Sequence, residues 1–181
     1  MKTRDLIFIS FFTALAIAGA FLRIPFPFLS VTFQMLFALL AGIILGPVRG
    51  MAAMALYLVL GLVGLPVFSL GGGIGYVLQP SFGFILGFIP GAFVAGFFYD
   101  KMKFRTFTTV LLSYTTGTMV VYFIGISYMF LILKFYLDKP GLSLAATVIN
   151  MLPYIAKDMV LGLLAASLGR FIPRLRELSQ G

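Results

Sequence analysis

Lys157 and Asp158 are the residues of this chain best placed to do chemistry. They are the only charges between Lys139 and Arg170, inside an otherwise apolar run. An ionisable group in a membrane span costs about 2.5–3.5 kcal/mol on insertion scales, so such groups usually mark a function. Neighbours on a helix point about 100° apart, which predicts no ideal side-by-side pair. They would instead grip two parts of one polar ligand, with neutralisation at a water-accessible helix end as the alternative. Pro153, just before them, can free backbone groups.

The second feature is Gly61 to Gly83, GLVGLPVFSLGGGIGYVLQPSFG, with seven glycines and two prolines. It lies within the fifty uncharged residues from Gly50 to Tyr99. Gly71, Gly72 and Gly73 cannot hold a helix, since each costs roughly 1 kcal/mol relative to Ala there. Irregular backbone at membrane depth must line a cavity or pack on protein. This predicts a lid or wall whose amides meet a ligand. Leu65, Phe68, Tyr76 and Leu78 would be its apolar walls, and Tyr76 and Gln79 its polar contacts. No GKS/T follows and no strand precedes, so it is not a nucleotide loop. Gln34 and Thr32 are a weaker pair near the start of the second segment. Ala14-x-x-x-Ala18, extended by Gly19 and Ala20, is a small-residue face that suits close helix contact, within the bundle or with a partner.

The elements that must position these groups follow from composition. The 181 residues are 61% hydrophobic and 10% charged, with a mean hydropathy of +1.12. Soluble domains run near 25% charged, so this is an integral membrane protein. No Cys and no His removes disulfides, zinc sites, thiol nucleophiles and imidazole bases. No cofactor or metal is expected. Leu6 to Leu22 could pass for a signal sequence, but Arg23, Ile24 and Pro25 follow where a cleavage site would be.

The pattern predicts an all-α membrane protein, a single transmembrane domain over 1–181. Its six helices form one bundle, with spans of about 6–24, 31–45, 50–65, 81–99, 106–133 and 144–171. Pro25 and Pro27 close the first; Pro90 predicts a kink or irregularity in the fourth. With six spans both termini share a side. That side carries Lys2, Arg4, Arg49, Lys101, Lys103, Arg105, Arg170, Arg174 and Arg176, against Arg23, Lys134 and Lys139 on the other. Nine against three puts both termini in the cytoplasm and the glycine-rich loop outside. The net charge of +8 is thereby explained by topology, with no nucleic-acid partner.

Three stretches together, MKTRDLIFISFFTALAIAGAF, VTFQMLFALLAGIILGPVRG and YLVLGLVGLPVFSLGGGIGYVLQPSFGFILGF, resemble the BioY family from Met1 to about Arg170. GLPVFSLGGGIGYVLQPSFGF is the most specific piece. BioY proteins are biotin-specific S components of energy-coupling factor transporters. The resemblance implies a six-helix bundle that captures biotin at its outer face. It also implies partners: a membrane coupling subunit and two cytoplasmic ATPase subunits, with lipid around them. The chain itself would not be an enzyme. Carried over residue by residue, the biotin site maps onto Gly72, Gly73, Tyr76, Gln79, Lys157 and Asp158, and the coupling surface onto Ala14 and Ala18. Phe68 and Tyr76 would cover the ring. Many family members carry a Lys three positions after the sixth-helix Asp; here that position is Leu161, and Lys157 precedes the Asp. An S component for riboflavin or thiamine, or a solitary carrier, is the alternative.

Overall fold

The computed structural model describes residues 2–24, 31–137 and 143–180. Seven helices run in chain order: α1 (Thr3–Phe21), α2 (Gln34–Leu45), α3 (Pro47–Leu62), α4 (Phe82–Lys101), α5 (Phe107–Leu131), α6 (Leu144–Ser167) and α7 (Ile172–Gln180). A short ladder pairs β1 (Arg23–Ile24) with β2 (Val31–Thr32), antiparallel, with Arg23 opposite Thr32. A 3-10 turn spans Ile74–Leu78, and a π turn, Ile132–Tyr136, prolongs α5.

Among the described residues, four helices are long and apolar enough to cross a membrane: α1, α4, α5 with its π turn, and α6. α2 and α3, with 12 and 16 residues, are shorter. α2 is short, bounded by the ladder before it and by Gly46–Pro47 after it, and it is the central helix. Nine of its twelve residues are buried, so it faces protein on nearly every side. It can sit there because neighbouring backbones approach it closely. A Cβ on Gly42 would stand 1.9 Å from the carbonyl oxygen of Ala92 on α4. Gly46, at φ +91°, ends α2, and Pro47 opens α3 at its first position. Gly83, Gly87 and Gly91 form a four-residue stripe along α4 that admits α5 in the same way.

Element ends differ from the sequence reading in ways the packing explains. The first helix stops at Phe21, because Arg23–Ile24 leave it to pair with Val31–Thr32. The second then begins at Gln34. α4 continues through Pro90, and α6 through Pro153. α6 ends at Ser167, where Gly169–Phe171 tightens into a 3-10 turn, and α7 is a separate helix. Pro25, Pro27, Lys139 and the side chain of Arg170 lie outside the described residues.

α7 closes one end of the bundle. Arg176 donates to Ile43 O at 3.0 Å and pairs with Asp100, while Ser179 Oγ donates to Ile44 O at 3.3 Å. These bonds satisfy carbonyls that the end of α2 leaves open. Beside them Arg49 bridges Asp5 of α1 at 3.0 Å and donates to Ser179 O at 3.2 Å. The basic cluster of the sequence thus gathers at one end, and the opposite end carries the cavity.

Candidate ligand-binding site

A cavity of about 290 Å3 opens between the first turn of α2, the first two turns of α4, the later half of α5 and the middle of α6. Thr32, Gln34 and Met35 line one side. The glycine-rich stretch adds Ser69, Leu70, Tyr76, Gln79 and Pro80. Ser81 and α4 supply Ser81, Phe84, Ile85 and Phe88; α5 gives Tyr122; α6 gives Met151, Tyr154, Lys157 and Asp158. Its walls are mostly apolar and its polar groups lie at two poles, the build of a small-ligand site.

At the first pole Asp158, 2% exposed, has its Oδ1 2.5 Å from Lys157 Nζ. The two adjacent residues do meet, because the lysine stem is long enough to reach round the helix, but not as an ideal side-by-side pair. The 100° separation still shows, since Oδ1 has no hydrogen-bond donor beyond that charge contact among the described residues. Oδ2 accepts from Tyr122 Oη at 2.7 Å. Lys157 also donates to Thr32 O at 2.8 Å, tying α6 to β2. Gln34 lies beside them with its amide oriented: Thr32 Oγ1 donates to its Oε1 at 3.2 Å, and its Nε2 donates to Tyr57. Tyr57 in turn donates to Val67 O at 3.1 Å, at the start of the loop.

At the second pole the Tyr76 hydroxyl lies 3.3 Å from both Ser69 Oγ and Ser81 Oγ. The loop that carries it is an ordered clasp folded back on the end of α3. Gly73, at φ +96°, donates to Gly61 O at 2.7 Å. Phe68 and Gly71 exchange two backbone bonds, with Phe68 N to Gly71 O at 2.8 Å and Gly71 N to Phe68 O at 3.2 Å. The amides of Gly71 and Gly73 are therefore occupied, contrary to the expectation that they stand free for a ligand. Gly72 is pressed against the backbone, where a Cβ would sit 2.0 Å from Leu65 O. Phe68, 1% exposed, seats on Gly61 between Tyr57 and Tyr76, with ring centroids 5.4 and 4.6 Å away. Arg23 of β1 donates to Ser69 O, joining the ribbon to the loop.

Of the residues singled out in the sequence, the structure brings Asp158, Lys157, Tyr76, Gln79 and Gln34 to one cavity. Gly72, Gly73 and Phe68 shape the loop behind the wall and are not among the lining residues. Leu65 and Leu78 are exposed and off the cavity, whereas Leu70 lines it. Tyr122, Phe84, Met35 and Met151 were not anticipated. Tyr122 left one weak trace, a hydroxyl in the Thr- and Tyr-rich fifth segment. Ala14 and Ala18 are exposed on α1, while Ile9, Phe12, Ala16 and Ala20 face the bundle. The small-residue face thus divides: Ala14 and Ala18 do not pack within this chain, whereas Gly19 and Ala20 are buried against it, with a Cβ on Gly19 2.9 Å from the Phe37 ring.

Apolar helices around a cavity with a buried ion pair define a multi-pass membrane protein built to bind a small ligand. The BioY family model matches residues 1–177, and the chain belongs to that family. It is 35% identical over 167 residues to the probable biotin transporter BioY of Lysinibacillus sphaericus, covering 92% of this chain and 85% of that one. It is 32% identical over 173 residues to the biotin transporter BioY of Thermotoga maritima, covering 95% and 97%. It is also similar to the crystal structure of the S-component for biotin from an ECF-type ABC transporter. That match has a TM-score of 0.80 at 28% identity, over 100% of this chain and 96% of the other.

Proposed function

We propose that this chain captures biotin as the substrate-specific S component of an energy-coupling factor transporter. The carrying observation is Asp158. It is an acid held at 2% exposure by Lys157 and Tyr122, at the edge of a cavity of small-ligand size. A charge and its partner placed together at such an edge offer an acceptor beside a donor. A cyclic urea presents the complementary edge, an N–H next to a carbonyl. Asp158 accepts from the ureido N–H, a charge-assisted bond in a dry site, and Lys157 donates to the ureido oxygen. Met35, Phe84, Phe88 and Met151 surround the thioether ring. With the Gly71 and Gly73 amides occupied, the valerate carboxylate falls to the hydroxyls of Ser69, Tyr76 and Ser81 and the amide of Gln79.

On this reading α2 and α3 complete six spans, both termini are cytoplasmic, and the cavity faces outward, opposite the basic end closed by α7. The glycine-rich clasp is then the outer lid, and Gly72, Gly73 and Phe68 serve the site by shaping it. The exposed Ala14 and Ala18 face meets the membrane coupling subunit, and two cytoplasmic ATPases handle the nucleotide. Titrating biotin into the purified wild type and Asp158→Asn tests the reading. The wild type binds and the variant loses about tenfold or more, since a bond to a charged group contributes about 1.5–3 kcal/mol. No binding by the wild type, or displacement of biotin by riboflavin or thiamine, overturns the ligand. Equal affinity in the two proteins removes Asp158 from the site.

A further inference from the structure

Asp158 stands next in sequence to its counter-charge, and this poses a problem of orientation. The ammonium of Lys157 reaches Oδ1 from one side only, at 2.5 Å and without hydrogen-bond alignment. A carboxylate's terminal torsion is broad and sets no single plane. Held by this cation alone, the carboxylate is free to swing toward its own helix neighbour and turn its oxygens away from the cavity. A donor from another helix prevents the swing. Tyr122 on α5 donates to Oδ2 at 2.7 Å. Its ring is itself held by Phe84 of α4, edge-on with centroids 5.6 Å apart. Phe84 in turn packs where Gly125 leaves room, since a Cβ there would lie 2.4 Å from its ring. Gly125, Phe84, Tyr122 and Asp158 thus form one stack, each member fixing the next.

We propose that Tyr122 is a positioning residue for ligand capture. Its hydroxyl fixes the plane of the Asp158 carboxylate, leaving the remaining lone pairs aimed into the cavity at a ligand N–H. The inference rests on the reading of Asp158 as the ligand's acceptor. Orienting the acceptor beforehand raises affinity because its rotation is already lost when the ligand arrives.

The test is calorimetric titration of biotin into purified wild type and Tyr122→Phe, each with Asp158 intact and with Asp158→Asn. The Phe change keeps the ring against Phe84 and removes only the hydroxyl; affinity falls about tenfold, the scale of one charge-assisted hydrogen bond. In an Asp158→Asn background the Phe change has a much smaller effect, about twofold, because the phenol no longer meets a charge. A Phe variant within twofold of wild type overturns the inference. So does an equal Phe effect in both backgrounds. Failure of the wild type to bind biotin overturns the underlying ligand reading and this inference with it. Binding by wild type with an unaffected Phe variant overturns the inference alone.

Discussion

Gly61→Ala puts the loop's seat to the test without touching the cavity. Gly61 is the last buried residue of α3, in helical backbone, where alanine is favoured over glycine by up to about 1 kcal/mol. Against that, the new Cβ would stand 1.9 Å from Phe68 Cζ, where ordinary contact begins at 3.4 Å. The Phe68 ring has little room to retreat, with Tyr57 and Tyr76 on either side at 5.4 and 4.6 Å. Overpacking of this kind costs about 1–3 kcal/mol, so the clash outweighs the helix gain. Strain is relieved by lifting Phe68 and with it the clasp that carries Ser69, Leu70 and Tyr76. A closed clasp less favoured by about 1–2 kcal/mol lowers apparent biotin affinity, by up to about five- to thirtyfold. Calorimetry on the purified variant reads this directly, and a labelled-biotin chase reads the faster release. In a Phe68→Leu background the same glycine change is nearly neutral, since the ring it strikes is gone. Affinity within twofold of wild type would refute the seat. An undiminished loss in the Phe68→Leu background would refute the clash as its cause.

Two further expectations use the ion pair and the outer face of α1. Lys157→Met leaves Asp158 buried without its cation and cuts the tie to Thr32 O. Breaking a buried pair costs about 3–5 kcal/mol, and with Lys157 24% exposed the lower end applies. Both the ligand-free melting temperature and biotin affinity fall; an unchanged melting temperature argues against a structural charge pair. Ala14→Trp and Ala18→Trp stand on the exposed face, so biotin binding by the purified protein stays within twofold while uptake by cells carrying the coupling module is lost. Undiminished uptake means that this face is not the docking surface.

Much of the site was legible because membrane burial makes polarity expensive. Lys157 and Asp158 stand out in an apolar run, and three successive glycines exclude a helix, so both features announce themselves without a structure. The helical segments follow from apolar length in the same way, although their ends do not. Whether Arg23–Ile24 continue a helix or join a ladder depends on Val31–Thr32 arriving beside them, and local propensity is silent on that. α2 reads as one more short apolar segment; its central place is decided by Gly42 and its neighbours, which let whole helices close on it.

The division is sharpest among the glycines and tyrosines. Sequence shows that Gly72 and Gly73 are special, but two physical reasons can make a glycine so: contact with a ligand or contact with the chain's own backbone. The fold supplies the second, with Leu65 O against Gly72 and the Gly73 amide bonded to Gly61. Tyr57, Tyr114, Tyr122 and Tyr154 are alike as letters on apolar helices. Tyr122 is distinguished because α5 and α6 cross where its hydroxyl meets Asp158 at 2.7 Å. Composition and polarity determined that this chain lies in the membrane and which charges stand out there. Which oxygen meets which donor was decided by helix packing, since hydrogen bonds between helices depend on crossing points that no spacing along one strand of sequence encodes.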